Sequence, residues 1–171
     1  MPTHSAALAN EFIDRANSCG KQLTQMQLQK LVYIAHGWNL AINGSPLTED
    51  TPQAWDYGPV YRDLWLALRS FGKSAVNEKI KIGQVGAGIF SPNADDEIRA
   101  NLLPAEKRIV DKVFDLYSDF HAYQLSAMTH KQGTPWYQIY EVEGKKKGNI
   151  DAERIKQHFV SLAQQRHTAN A

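Results

Sequence analysis

The sequence predicts a mainly α fold: one helical domain built round a central helix at about residues 24–43, with a small extended or β-hairpin appendage. Three observations carry this. The stretch TQMQLQKLVYIAHGWNLAING, Thr24 to Gly44, is apolar on two sides. Further segments with helical spacing follow Pro59, Pro104, Ala122, Pro135 and Asp151. Between Gly44 and Val60, three prolines and a glycine exclude a long regular element.

The central helix is delimited by its own residues. Thr24 and Gln27 form a Thr-x-x-Gln capping box, and Gly44 suits a left-handed C-cap. At about 100° per residue, Leu28, Leu31, Val32, Ile34, Ala35, Trp38 and Ile42 fill one arc. Met26, Tyr33, Leu40 and Ala41 fill a second, where Gly37 would admit another backbone. A narrow strip between them holds Gln25, Gln29, His36, Asn39 and Asn43. A helix apolar on two sides is packed from both, which places it at the centre.

The other elements follow in order. Residues 3–18 read as a first helix with Leu8, Phe12 and Ile13 inward, capped by Thr3 or Ser5 and ended by Cys19-Gly20. Ser45–Leu47 and Gln53–Trp55 are candidate extended pieces. Pro59 suits the first turn of a helix that stops at Gly72, with Asp56 placed to accept from its start. Leu66 falls outside that helix's apolar arc. Residues 73–101 read as a small hairpin across Lys79–Phe90 or as a mobile surface loop. A helix from Pro104 to about Tyr117 turns Ile109, Val110, Val113, Phe114, Leu116 and Tyr117 inward. Another spans Ala122–His130, a short one starts at Pro135, and a last one runs from Asp151 to Gln165. The terminal HTANA is expected to fray.

Composition bounds the function. A chain of 171 residues suffices for one domain with a sizeable core. A net charge of +1 argues against general affinity for nucleic acid or an anionic membrane. No run approaches the roughly 20 apolar residues of a membrane span, and the N-terminus lacks a signal-peptide pattern. A single cysteine, Cys19, suits a reducing compartment. The expectation is a soluble cytoplasmic protein.

Recognisable catalytic patterns are lacking. The histidines and Cys19 have no metal-ligand spacing, so no metal or cofactor is expected. Ser126, Thr129 and Cys19 lie in no nucleophile motif, and GQVGAG has the wrong glycine spacing for a phosphate loop. Lys145-Lys146-Lys147 reads as a solvated turn. His36 is read as a buried hydrogen-bonding residue reaching Thr129, His130 or Tyr57, and His130 as a cap on the turn before Pro135. An enzyme would need His36, Tyr57 and His130 to converge on one pocket.

Three stretches together resemble a known family. They are Leu28-Gln29-Lys30-Leu31-Val32-Tyr33 continuing to Gly37-Trp38, then Ala54-Trp55-Asp56-Tyr57-Gly58-Pro59-Val60, then Leu125-Ser126-Ala127-Met128-Thr129-His130 with Pro135-Trp136. In this order and spacing they look like the Panacea domain of SocA-like and phage-associated antitoxins, over about residues 8–160. The resemblance implies a helical, non-catalytic domain that neutralises a cognate toxin by direct contact, and a role in phage defence. It also implies one alternative, an adaptor delivering the toxin to a protease; an enzyme reversing the toxin's modification is a separate reading that the resemblance does not supply. Of the motif residues, Leu28, Lys30, Leu31, Tyr33, Gly58, Pro59, Thr129, His130, Pro135 and Trp136 are expected to be structural. Trp55, Tyr57, Tyr61 and Trp65 are the candidate toxin contacts, since aromatic residues beside a rigid turn bury large area at low entropy cost. Residues 73–101 show least of the family pattern and are a second place where partner specificity could reside.

Overall fold

The computed structural model describes residues 1–169. Helix α1 (Ser5–Cys19) leads into the central α2 (Gln25–Asn43). A hairpin follows, of β1 (Gln53–Trp55) and β2 (Gly58–Val60), then α3 (Arg62–Leu68). After a region of single-turn 3-10 helices come α4 (Pro104–Tyr117), α5 (Ala122–His130), the short α6 (Pro135–Tyr137) with a π turn over Gln138–Val142, and α7 (Ala152–Ala169). Among the described residues no helix is long and apolar enough to cross a membrane.

Helix α2 is the hub. It packs against α1, α3, α4, α5, α7 and β2, and every residue from Leu28 to Leu40 is buried. The capping box at Thr24 and Gln27 forms, and Gly44 takes the left-handed conformation. The expectations for Ile42, His36 and Gly37 are corrected here. Ile42 lies past the packed region and is exposed. The polar strip is not a free surface, because Gln29, His36 and Asn39 are buried and spent on the fold. Asn39 donates to the Ser45 carbonyl, and Gln29 brackets the backbone of Tyr61. The buried Nδ1 of His36 accepts from the amides of Leu47 and Thr48, not from Thr129, His130 or Tyr57. Gly37 admits an aromatic ring, not a backbone: a Cβ there would fall on Phe159 of α7.

Other corrections have local causes. His4, not Thr3 or Ser5, caps α1 by accepting from the Ala6 amide. Ser5 is instead drawn to Asp50. Pro59 sits in β2, so α3 starts only at Arg62 and Asp56 accepts from the Tyr140 hydroxyl. Leu66 is half-buried and Leu116 is exposed on α4. Helix α7 continues through His167 to Ala169, while Asn170 and Ala171 of the expected frayed end lie outside the described residues.

Residues 73–101 form no hairpin across Lys79–Phe90. Short 3-10 turns occupy Ile82–Gln84 and Gly86–Phe90, and the backbone at Ile80–Ile82 pairs with Asp96–Ile98 instead. The side chain of Asn10 ties both lengths down, accepting from the Ile80 amide and donating to the carbonyls of Ile80 and Ile98. Of the residues from Glu78 to Ile82, Ile80 alone is fully buried, in an extended piece clamped to α1.

Candidate functional site: an aromatic groove at the hairpin

The hairpin pairs Trp55 with Gly58 across a two-residue turn at Asp56-Tyr57. Its carbonyls are held one after another by side chains from distant parts of the chain. Trp136 Nε1 donates to the Trp55 carbonyl at 2.7 Å. His130 Nε2 faces the Asp56 carbonyl at 3.1 Å, and Ser126 Oγ donates to the Tyr57 carbonyl at 2.8 Å. Lys30 Nζ donates to the Pro59 carbonyl at 3.0 Å. Gln29 then takes both the amide and the carbonyl of Tyr61. The three sequence motifs thus meet at one place, with the first and third clamping the backbone of the second.

Gly58 is required by this clamp. Its φ is +105°, and a Cβ would lie 2.6 Å from Thr129 Oγ1 and 2.9 Å from Lys30 Cε. Thr129 and Thr134 close the far side, Thr129 donating to the Ser126 carbonyl and Thr134 to that of Thr129. Pro135 opens α6, and the ring of Trp136 packs 3.9 Å from that of His130. Leu28, Leu31 and Tyr33 are buried in the core.

With its backbone fixed from behind, the hairpin presents its aromatic side chains outward. A groove of about 740 Å³ runs between the start of α2, the hairpin tip, Trp65 of α3 and the start of α5. Trp55 and Trp65 are both half-buried, with ring centres 5.3 Å apart. Tyr57 and Tyr123 are more than half exposed on its walls. Lys147 Nζ lies 4.7 Å from the Trp55 ring centre, and the Arg69 guanidinium 5.8 Å from that of Trp65. Lys30, 1% exposed, is part of the groove lining. Burial without a carboxylate partner lowers its pKa from 10.5 to about 7.

Of the four candidate contact residues, the structure brings together Trp55, Tyr57 and Trp65. Tyr61 is a correction: it is wholly buried, and its hydroxyl pairs with Thr48 Oγ1. Its position before α3 resembles that of an exposed turn aromatic, but the burial of Gln29 fixes it inward. Sequence reasoning missed Tyr123, Lys73 and Lys147 as groove residues. Tyr123 carries a usable signal, as a large aromatic in the first turn of a helix capped by His121. The lysines carry none, since only the fold sets them beside the tryptophans.

Ser126, Thr129 and His130 also lie close together, with Ser126 Oγ 3.4 Å and Thr129 Oγ1 3.5 Å from His130 Nδ1. Both hydroxyls already donate to carbonyls, and both ring nitrogens of His130 face carbonyl oxygens. The groove takes in Tyr57 but neither His36 nor His130. A second groove of about 710 Å³ runs along α7. Its arginines are engaged, Arg154 with Glu143 and Asp151, and Arg166 with the Tyr117 hydroxyl.

Comparison with known proteins places the fold in a functional setting. The family model described as "Antitoxin SocA-like, Panacea domain" matches residues 28–137, a span that contains all three motifs. Antitoxin SocA of Caulobacter vibrioides (strain NA1000 / CB15N) is 31% identical over 134 residues, covering 76% of this chain and 66% of that protein. No solved structure matches the chain.

Proposed function

This chain belongs to the SocA-like antitoxin family of Panacea domains, and on that premise we propose that it neutralises a cognate toxin by direct contact, with the aromatic groove at the centre of the interface. The observation that carries the placement is the pair Trp55 and Trp65, half-buried beside the exposed Tyr57 on a hairpin whose backbone is clamped. Large aromatics on a rigid support are the residues that dominate binding energy, because little conformational freedom is lost on docking. A standard interface buries about 1,600 Å² in total, so the groove would be its core and the surrounding charged residues its rim. Neutralisation of this kind is stoichiometric and needs no reacting group.

Growth rescue tests the reading. The toxin is to be sought as the product of an adjacent reading frame, recognised by being lethal alone and tolerated with this protein. The variant W55A/Y57A/W65A, checked for native circular dichroism, is expected to lose rescue and to stop co-purifying with the toxin. Full rescue by that variant overturns the placement. Rescue by the purified protein well below equimolar amounts overturns the non-catalytic mechanism. Ile89 and Phe90, 65% and 88% exposed on the 3-10 turn, form a separate apolar tip. The variant I89A/F90A is expected to retain rescue, and its loss would move the interface to that segment.

A further inference from the structure

The groove carries an imbalance of charge. Lys30, Arg69, Lys73, Lys146 and Lys147 lie in or beside it, and none makes an ion pair among the described residues. Unpaired basic side chains such as Lys107, Lys112 and Lys156 occur elsewhere among the described residues too; what sets the groove apart is that several cluster round a single acidic side chain. The acidic side chain on the groove wall, Asp56, accepts from the Tyr140 hydroxyl.

Lys30 is the extreme case. Its ammonium has one hydrogen-bond acceptor, the Pro59 carbonyl, which leaves two of three donors unmet in a buried position. A buried cation lacking a counter-ion is costly, and a carboxylate arriving from outside would remove much of that cost. The apolar faces of Trp55 and Trp65 lie in the same groove.

We infer that the groove takes an acidic–aromatic segment of the partner protein, with an apolar or aromatic side chain lodged against Trp55 and Trp65 and a neighbouring carboxylate on Lys30. The inference rests on the neutralisation reading above and specifies the chemistry of the toxin surface. The lysines and Arg69 at the rim would receive further acidic residues and favour encounter. A single-stranded nucleic acid fits less well. It needs a track of cations along its backbone, whereas the most buried cation here is a single amine suited to one carboxylate.

The test uses the full chain and a phage-displayed library of fully random peptides. Enriched sequences are expected to carry an aromatic residue adjacent to aspartate or glutamate. The strongest, made synthetically, is titrated by fluorescence anisotropy at pH 6 and pH 8.5. Affinity is expected to fall about tenfold or more across that interval, as free Lys30 loses its proton near pH 7. Lys30→Met should weaken binding about tenfold at pH 6 and remove most of the pH dependence. That variant keeps the other titratable groups nearby: Asp56 and Tyr57 of the hairpin, His121, Tyr123 and His130 of α5, and Lys73 and Lys147 at the rim. Trp65→Ala should lose about tenfold at both pH values, which guards against a folding defect peculiar to the lysine variant. Enrichment of peptides without acidic residues, no enrichment at all, an unchanged pH profile in Lys30→Met, or displacement of the peptide by a mixed-sequence RNA oligonucleotide each overturns the inference. Toxin rescue is scored separately, so any of these results leaves the neutralisation reading standing or falling on its own test.

Discussion

Replacing Gly37 by alanine is expected to destabilise this protein, although alanine is the better helix former. In an exposed helix interior the change gains about 1 kcal/mol. Here the new Cβ would meet three ring carbons of Phe159. Cζ, the farthest of the three, would lie 2.5 Å away where ordinary contact begins at 3.4 Å, so the ring must retreat by more than about 1 Å. It has little room to do so. Phe159 is 5% exposed and stands edge-on to Trp38 and Tyr33, with ring centres 5.2 and 6.2 Å away. Overpacking of this kind costs about 1–3 kcal/mol and often more for a ring, bounded by the roughly 3–5 kcal/mol of deleting the phenyl group. Offset by the helix propensity, the net loss should be about 2 kcal/mol, or a fall in Tm of roughly 5 °C at this size. Urea unfolding measures it directly. The decisive comparison is the F159A background, where the clash is gone and G37A should become stabilising by up to about 1 kcal/mol. An equal effect of G37A in both backgrounds, or stabilisation in the wild-type chain, would refute the reasoning.

Three further outcomes are expected. Burial lowers the pKa of His36 from 6.5 to about 4, and the neutral Nδ1 accepts two amides. The unfolded chain therefore binds the extra proton between those values, and stability should fall as pH drops from 6.5 towards 4, by about 3 kcal/mol; a urea series over that range should flatten in His36→Asn. Lys30, also depressed, gives the same sign in another window: stability should rise with pH from about 7 towards 10, as the unfolded state alone stays protonated. Lys30→Met should lose that slope between pH 7 and 9.5, whatever the cost of leaving the Pro59 carbonyl without its donor. Finally, neutralisation by contact leaves the toxin's half-life in cells unchanged during rescue. A pulse-chase showing rapid toxin loss only when this protein is present would favour delivery to a protease.

The helical elements were legible because each carries local punctuation. Thr24 with Gln27 and Gly44 bound α2, and prolines open α4 and α6. Those signals act within a few residues, so they read directly from the chain. Pro59 misled for a related reason: it is as compatible with a strand residue lacking an amide donor as with a helix start. The partner strand at Gln53–Trp55 decided the matter. Residues 73–101 were opaque because their anchor, Asn10, is 70 residues away from Ile80 in sequence. At the candidate site, Trp55, Tyr57 and Trp65 were singled out from residue type alone, and the fold sets them round one groove. Tyr61 was misassigned because nothing nearby in sequence marks Gln29 as the group that pins it.

By itself the sequence determined the hub helix, the helical class and the family, since capping residues, periodicity and ordered motifs are properties of short stretches. Tertiary structure alone decided where the motifs meet. Donors on Gln29, Lys30, Ser126 and Trp136, with the His130 ring beside them, converge on the backbone from Trp55 to Tyr61 only when α2, α5 and α6 pack around it. That convergence turns the signature residues into a clamp and leaves the aromatic side chains outside it. The reason is physical: a buried carbonyl must find a donor, and the fold supplies those donors from far along the chain.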